Sequence, residues 1–244
     1  MPEGPSIVIL KEAVQELKLE GQKVTAITGN SSVDFSGLVG HKVERFESWG
    51  KHFLICFKHH TIRVHFMLFG TYRINERKDT PARLSLVFPK DELNFYACSV
   101  KLIDRNALEV YDWSADVMSD KWDLGKALDK LSKIPDTLIC DALLDQHIFS
   151  GSGNIIKNEV LFRTKVHPLS KVGSIPKKLL KTIAAEVSIY SFQFLDWKRA
   201  FTLKQHWLAH TKKICPCCNI PLKKEYLGIT KRRSFFCEHC QKLY

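Results

Sequence analysis

Met1-Pro2-Glu3-Gly4-Pro5 opens a chain of 244 residues and leads into Ile7, Leu10, Val14 and Leu17, apolar positions three or four apart. That spacing predicts an amphipathic helix. Pro5 suits its first turn, where a missing N–H costs nothing. Aminopeptidases remove an initiator Met that precedes a small residue, so the mature chain is expected to begin at the secondary amine of Pro2, with the carboxylate of Glu3 beside it. A free α-amino group titrates near pH ~7.7–8.0, and a secondary amine somewhat higher, which leaves a usable neutral fraction. The positive end of a helix dipole favours that neutral, nucleophilic form. Such an amine attacks an aldehyde-like carbon and forms a Schiff base. The bland alternative is a frayed, inert end, and the rest of the chain has to decide between the two.

Composition narrows the partner. With 45% hydrophobic and 11% aromatic residues the chain can bury a real core, and its net charge of +11 with a pI near 9.2 points to a polyanion. The excess is local: residues 198–244 hold eleven basic against two acidic side chains, or +9 of the +11. No run of about 18 apolar residues occurs, and the charged start does not read as a signal peptide. Nucleic acid is therefore the first partner expected, with no membrane. Cys56, Cys98 and Cys140 stand alone in apolar surroundings, while five of the eight cysteines fall within the last thirty residues. That usage suits a reducing cytoplasm and a metal rather than disulfides.

Residues 23–27, 42–46, 53–57, 61–66, 83–88 and 93–96 read as short strands punctuated by Gly21, Gly40, Gly50, Gly70 and Pro89. They predict an antiparallel sandwich or barrel. Residues 104–123 are acidic and read as an interdomain connector or a solvated face. From 124 on the period is helical, over 124–132, 137–148, 154–164 and 176–195.

The most specific local signal is Cys215-Pro216-Cys217-Cys218 followed, after eighteen intervening residues, by Cys237-Glu238-His239-Cys240. Cys215, Cys218, Cys237 and Cys240 form two knuckles with two-residue spacing, the pattern of a closed, structural zinc site with no open position for catalysis. Cys217 is spare. Lys231-Arg232-Arg233 lies on the intervening hairpin, where it would touch phosphate. Gly151-Ser152-Gly153-Asn154 leads into a helix whose first N–H groups make an anion site, with Asn154 expected as N-cap. Lys51 sits at a strand turn, and Met67, Leu68 and Phe69 are either core or a wedge for a base stack.

Taken in order along nearly the whole chain, these pieces resemble the formamidopyrimidine-DNA glycosylase and endonuclease VIII family. The Pro-Glu-Gly-Pro start, the Gly50-Lys51-His52 turn, the Gly-x-Gly-Asn at 151–154 and the four-cysteine end carry the likeness. The resemblance implies an α+β fold: an N-terminal antiparallel β-sandwich with a flanking helix (1–113), an acidic connector (114–123), a helix–two-turns–helix domain (124–210) and a zinc-finger β-hairpin (211–244). It implies a bifunctional DNA glycosylase and abasic-site lyase of base-excision repair. Pro2 would be the nucleophile, Glu3 the general acid, and Lys51 a phosphate contact at the lesion. Asn154 and Arg232 would grip phosphate, with Arg233 the alternative for Arg232. Met67, Leu68 and Phe69 would fill the gap left by the extruded base. Cys215, Cys218, Cys237 and Cys240 would hold one structural zinc ion.

The 65–70 stretch resembles the endonuclease VIII branch more than the formamidopyrimidine branch, and the segment from 194 to 215 looks short for a lesion-capping loop. Oxidised pyrimidines in damaged double-stranded DNA, or abasic-site DNA, are the substrates this implies, for a monomer in the cytoplasm of a bacterium, associated with the nucleoid. One position departs from the family: Ser6 stands where a second glutamate is common. The rival reading, a non-catalytic protein that recognises damaged or distorted DNA, rests on that departure.

Overall fold

The computed structural model describes residues 2–244, Leu108 without its side chain; Met1, whose removal is expected, lies outside them. The chain forms two compact units that meet in sequence at Tyr111 and Asp112.

The first unit begins with helix α1 (Gly4–Glu16), whose Ile7, Leu10 and Val14 are buried. Strand β1 (Ala26–Thr28) follows, then β2 (Arg45–Trp49), β3 (His52–Cys56), β4 (Thr61–His65), β5 (Thr71–Ile74), β6 (Leu84–Val87), β7 (Glu92–Tyr96), β8 (Ser99–Ile103) and the short helix α2 (Ala107–Val110). They pair as two antiparallel four-stranded sheets, β1-β6-β7-β5 and β2-β3-β4-β8. Residues of both sheets and of α1 share one core, in which Phe53 of one sheet meets Phe95 of the other with ring centroids 5.8 Å apart. This is the expected sandwich with its flanking helix.

Two expected strands are displaced. Residues 23 and 42 form only an isolated bridge, and regular pairing starts at Ala26 and Arg45. The core sets that register, since Val24 and Val43 are buried before either ladder begins. β5 and β8 were not expected, and both complete a sheet edge.

The second unit contains α3 (Leu124–Ser132), α4 (Ile139–Ala142), α5 (Asn154–Arg163), α6 (Lys177–Arg199) and the hairpin β9 (Lys223–Leu227) and β10 (Arg232–Phe236). The helix expected over 137–148 is shorter: after α4 the chain turns, with Asp145 accepting from the backbone of His147 and Phe149. Asp112, Asp116 and Asp123 of the acidic stretch accept from backbone N–H groups of Ser114, Met118 and Lys126, so these carboxylates act as local caps. Among the described residues no helix is long and apolar enough to cross a membrane.

Candidate functional site

In the first unit the candidate residues Pro2 and Glu3 stand at the start of α1. Lys11 pairs with Glu47 at 3.5 Å, and Glu20, beyond the helix, accepts from the Phe46 N–H at 3.2 Å. These contacts hold α1 and the turn after it against β2. Glu3 occupies the N-cap position in extended conformation, yet its side chain makes no capping hydrogen bond. It is 0% exposed. Burying a carboxyl is costly unless it is partnered, so Glu3 is held by contacts other than a capping bond. Pro2 is half-buried, and the buried Ser6 hydroxyl has no hydrogen-bond partner among the described residues.

Lys51 is delivered by a tight turn. Trp49 pairs with His52, leaving a two-residue loop whose Gly50 has φ +52°, the left-handed geometry such hairpins require. Beneath it His52 faces His65 across the β3–β4 ladder, ring centroids 5.3 Å apart, with Trp49 and Tyr111 completing an aromatic cluster. Burial, and then the charges of Arg63, His65 and Lys51, push His52 down to about 3. His65 is lowered for the same reasons. Two neutral imidazoles therefore underlie the lysine at neutral pH.

Met67, Leu68 and Phe69 occupy the β4–β5 turn and are exposed, Phe69 by 84%. The turn is closed by the Gly70 N–H donating to Phe66 O at 2.7 Å, and Phe66 itself is buried against Tyr72 and Phe95. Three adjacent bulky side chains thus stand in solvent on a buried anchor. Of the two readings open in the sequence, core and wedge, the structure excludes core.

In the second unit Asn154 is not an N-cap. Gly153 holds that position, and Asn154 is the first helical residue, with no capping bond. The reason is the turn before it: Gln146 accepts from the Gly151 N–H and donates to Ser152 O, drawing the chain into the helix one residue early. Asn154 is 8% exposed, and its amide oxygen is unpartnered. A buried acceptor left open at the positive end of a helix is unusual in a purely structural role.

Helix α5 is buried on all sides, so its polar residues must be paired. Lys157 donates to Ser234 Oγ at 2.9 Å and to the backbone O of Arg233 at 3.2 Å. Asn158 donates to the same carbonyl and accepts from the Phe235 N–H. Glu159 accepts from the backbone N–H groups of Leu208, Ala209 and His210 at 2.7–3.0 Å. The hairpin tip is held separately by the carboxylate of Asp141, which accepts from the Ile229 and Thr230 N–H groups and the Thr230 hydroxyl. Arg232 and Arg233 lie between these two anchors with exposed side chains. The sequence reading missed Lys157, Asn158, Glu159 and Asp141. The signal was there in 157–159, three polar residues inside the apolar helical run 155–162.

The sulfur atoms of Cys215, Cys218, Cys237 and Cys240 lie within 4.8 Å of one another, and Cys215 and Cys240 are 3.8 Å apart. A tetrahedral ion with ~2.3 Å bonds to sulfur needs edges of about 3.8 Å. The four cysteines therefore fit a metal. Cys217 stays outside, its sulfur 3.1 Å from the ammonium of Lys165, which also lies 3.9 Å from Cys240 Sγ. A cation there offsets the negative charge of a thiolate cluster.

Both units match known protein families. Residues 1–98 match the formamidopyrimidine-DNA glycosylase N-terminal domain, and residues 115–190 match the formamidopyrimidine-DNA glycosylase H2TH domain. The chain belongs to the formamidopyrimidine-DNA glycosylase and endonuclease VIII family. It is 27% identical to Endonuclease 8-like 3 of Mus musculus over 99% of its own length and 46% of that protein's. It is 32% identical to Endonuclease 8-like 3 of Bos taurus over 87% and 37%. The chain thus spans less than half the length of these relatives. With the DNA-(apurinic or apyrimidinic site) lyase Nei2 of Mycolicibacterium smegmatis it shares 27% identity over 99% of each chain. In fold it is similar to a viral DNA glycosylase, with a TM-score of 0.84 and 19% identity over 98% of this chain and 100% of that one. It is equally similar to a formamidopyrimidine-DNA glycosylase of Lactococcus lactis bound to DNA containing an abasic site, with a TM-score of 0.84 and 18% identity over 98% and 99%.

Proposed function

We propose that this chain is a bifunctional DNA glycosylase and abasic-site lyase that removes oxidised bases, pyrimidines first, from double-stranded DNA. The observation that carries the proposal is the buried Glu3 carboxyl adjoining Pro2 at the start of α1. With Met1 removed, the Pro2 nitrogen attacks C1′ of the damaged nucleotide and the glycosidic bond breaks, the base leaving with a proton. Glu3 protonates the ring oxygen as the sugar opens. The resulting iminium acidifies the C2′ hydrogen; its loss expels the 3′ phosphate, and a second elimination expels the 5′ phosphate.

The other residues bind and position. Lys51 contacts phosphate at the lesion, and Asn154 and Arg232 hold phosphates further along. Met67, Leu68 and Phe69 fill the gap left by base extrusion. One structural zinc ion, held by Cys215, Cys218, Cys237 and Cys240, stiffens the hairpin. In this reading residues 1–113 carry the chemistry, 124–210 and 211–244 the DNA grip, with 114–123 between them. The protein acts as a monomer on DNA in the cytoplasm.

Mixing the protein with duplex DNA bearing one abasic site in the presence of borohydride tests the nucleophile. The wild type should be trapped covalently, and a form with an extra residue ahead of Pro2 should not. Trapping of both forms would move the chemistry to Lys51. Ser6 supports a second reading, since a small, unpartnered hydroxyl stands where relatives commonly place a carboxylate. If neither form is trapped yet abasic DNA is bound tightly, the protein recognises damage without cleaving it.

A further inference from the structure

Asp141 directs both oxygens of its carboxylate at the tip of the β9–β10 hairpin. One accepts from the Ile229 N–H at 2.9 Å, the other from the Thr230 hydroxyl at 3.0 Å and the Thr230 N–H at 3.3 Å. Consecutive N–H groups at a turn make a concavity that takes an anion, and a side chain from elsewhere in the chain fills this one. The fit is close. Gly228 has φ +72°, and a Cβ there would stand 2.3 Å from both carboxylate oxygens. Any residue but glycine at 228 would push the carboxylate out. Asp141 itself stands on a firm base: Ile139, Cys140 and Ala142 of α4 are buried, and the Ile139 N–H donates to Ser170 O at 2.8 Å.

What the clamp serves follows from the residue next to it. Arg232 opens β10, opposite Leu227 in the ladder and just beyond the clamped tip. Its side chain is exposed and has no partner of its own among the described residues. The direction of its guanidinium therefore depends on the backbone that carries it. On one side the ties from α5 act on Arg233 O, Ser234 and Phe235. On the other side Asp141 supplies the tie. Its charge cannot be the reason it is there, because a carboxylate beside Lys231, Arg232 and Arg233 weakens their attraction for a polyanion. Its contribution is geometric.

We propose that Asp141 is a positioning residue for the DNA grip: by clamping the hairpin tip it aims Arg232 at a phosphate. This rests on the reading of Arg232 as a phosphate contact.

Fluorescence anisotropy with a labelled duplex carrying a stable abasic analogue, titrated across salt concentrations, tests it. The variants are Asp141→Ala, Asp141→Asn, Gly228→Ala, Arg232→Ala and the double variant Asp141→Ala with Arg232→Ala. Asp141→Ala should weaken binding on the order of tenfold. The slope of log affinity on log salt should fall by about 0.9, as in Arg232→Ala. Gly228→Ala, which keeps the carboxylate but displaces it, should do the same. Asp141→Asn retains an acceptor oxygen for the tip and should lie between alanine and wild type. The double variant should bind no more weakly than Arg232→Ala, because both act through one contact. Loss of a negative charge by itself would instead strengthen binding, and a merely structural role would lower Tm without moving the slope. Tighter binding by Asp141→Ala would overturn the proposal alone, as would its wild-type slope beside a reduced one in Arg232→Ala, or a further loss in the double variant. A wild-type slope in Arg232→Ala would remove the phosphate contact itself and this proposal with it.

Discussion

Lys157→Met removes one buried ammonium while keeping the length and apolar fill of the side chain. Lys157 is 1% exposed, and its Nζ donates to Ser234 Oγ at 2.9 Å and to Arg233 O at 3.2 Å. A hydrogen bond from a charged donor contributes about 1.5–3 kcal/mol, but burying the charge costs several kcal/mol of desolvation. The two effects largely cancel. Arg233 O also keeps its bond from Asn158 at 3.3 Å. Global stability should therefore fall by only about 1–2 kcal/mol. The local consequence is larger, because the strand bearing Arg232 loses two of its ties to α5. Titrating binding to abasic duplex across salt concentrations reads this out. If Arg232 grips one phosphate, the slope of log affinity on log salt should fall by about 0.9, with metal content unchanged. A wild-type slope in Lys157→Met, alongside a reduced slope in Arg232→Ala, would refute the claim that α5 positions the arginine.

Acid should destabilise the first unit through His52. The ring is held at about 3 in the folded chain against 6.5 when free, so its contribution is complete above pH 6.5 and is lost as pH falls from there toward 3. At ~1.4 kcal/mol per unit, up to about 5 kcal/mol is at stake. His52→Gln should flatten the urea midpoint between pH 7 and 4, and an unchanged profile would contradict it. Gly70→Ala would place a Cβ 2.1 Å from the backbone oxygen of Phe66. A backbone clash cannot rotate away, so Tm should drop and the 67–69 turn should lose its geometry, visible as weaker duplex binding. Stripping bound metal with a chelator should expose the amides of 211–244 to hydrogen exchange while those of the sandwich stay protected. The cysteine cluster and the sandwich have separate cores.

The sequence by itself determined what depends on short spacing. The Ile7, Leu10, Val14 period specified α1, and the two-residue gaps between cysteines brought four sulfurs together. Both are legible because neighbours along the chain are neighbours in space. Tertiary structure decided the rest. Thr71–Ile74, with Thr71 and Arg73 exposed and Tyr72 and Ile74 half-buried, became a strand by pairing with β7, about twenty residues further along the chain. Asn154 lost the capping position because Gln146, eight residues earlier, pulled the turn tight. Nothing local marked the partner of Lys157, an acceptor that lies 76 residues away on the hairpin. A buried charge survives only where folding brings it a partner, and no local pattern encodes where that partner will be.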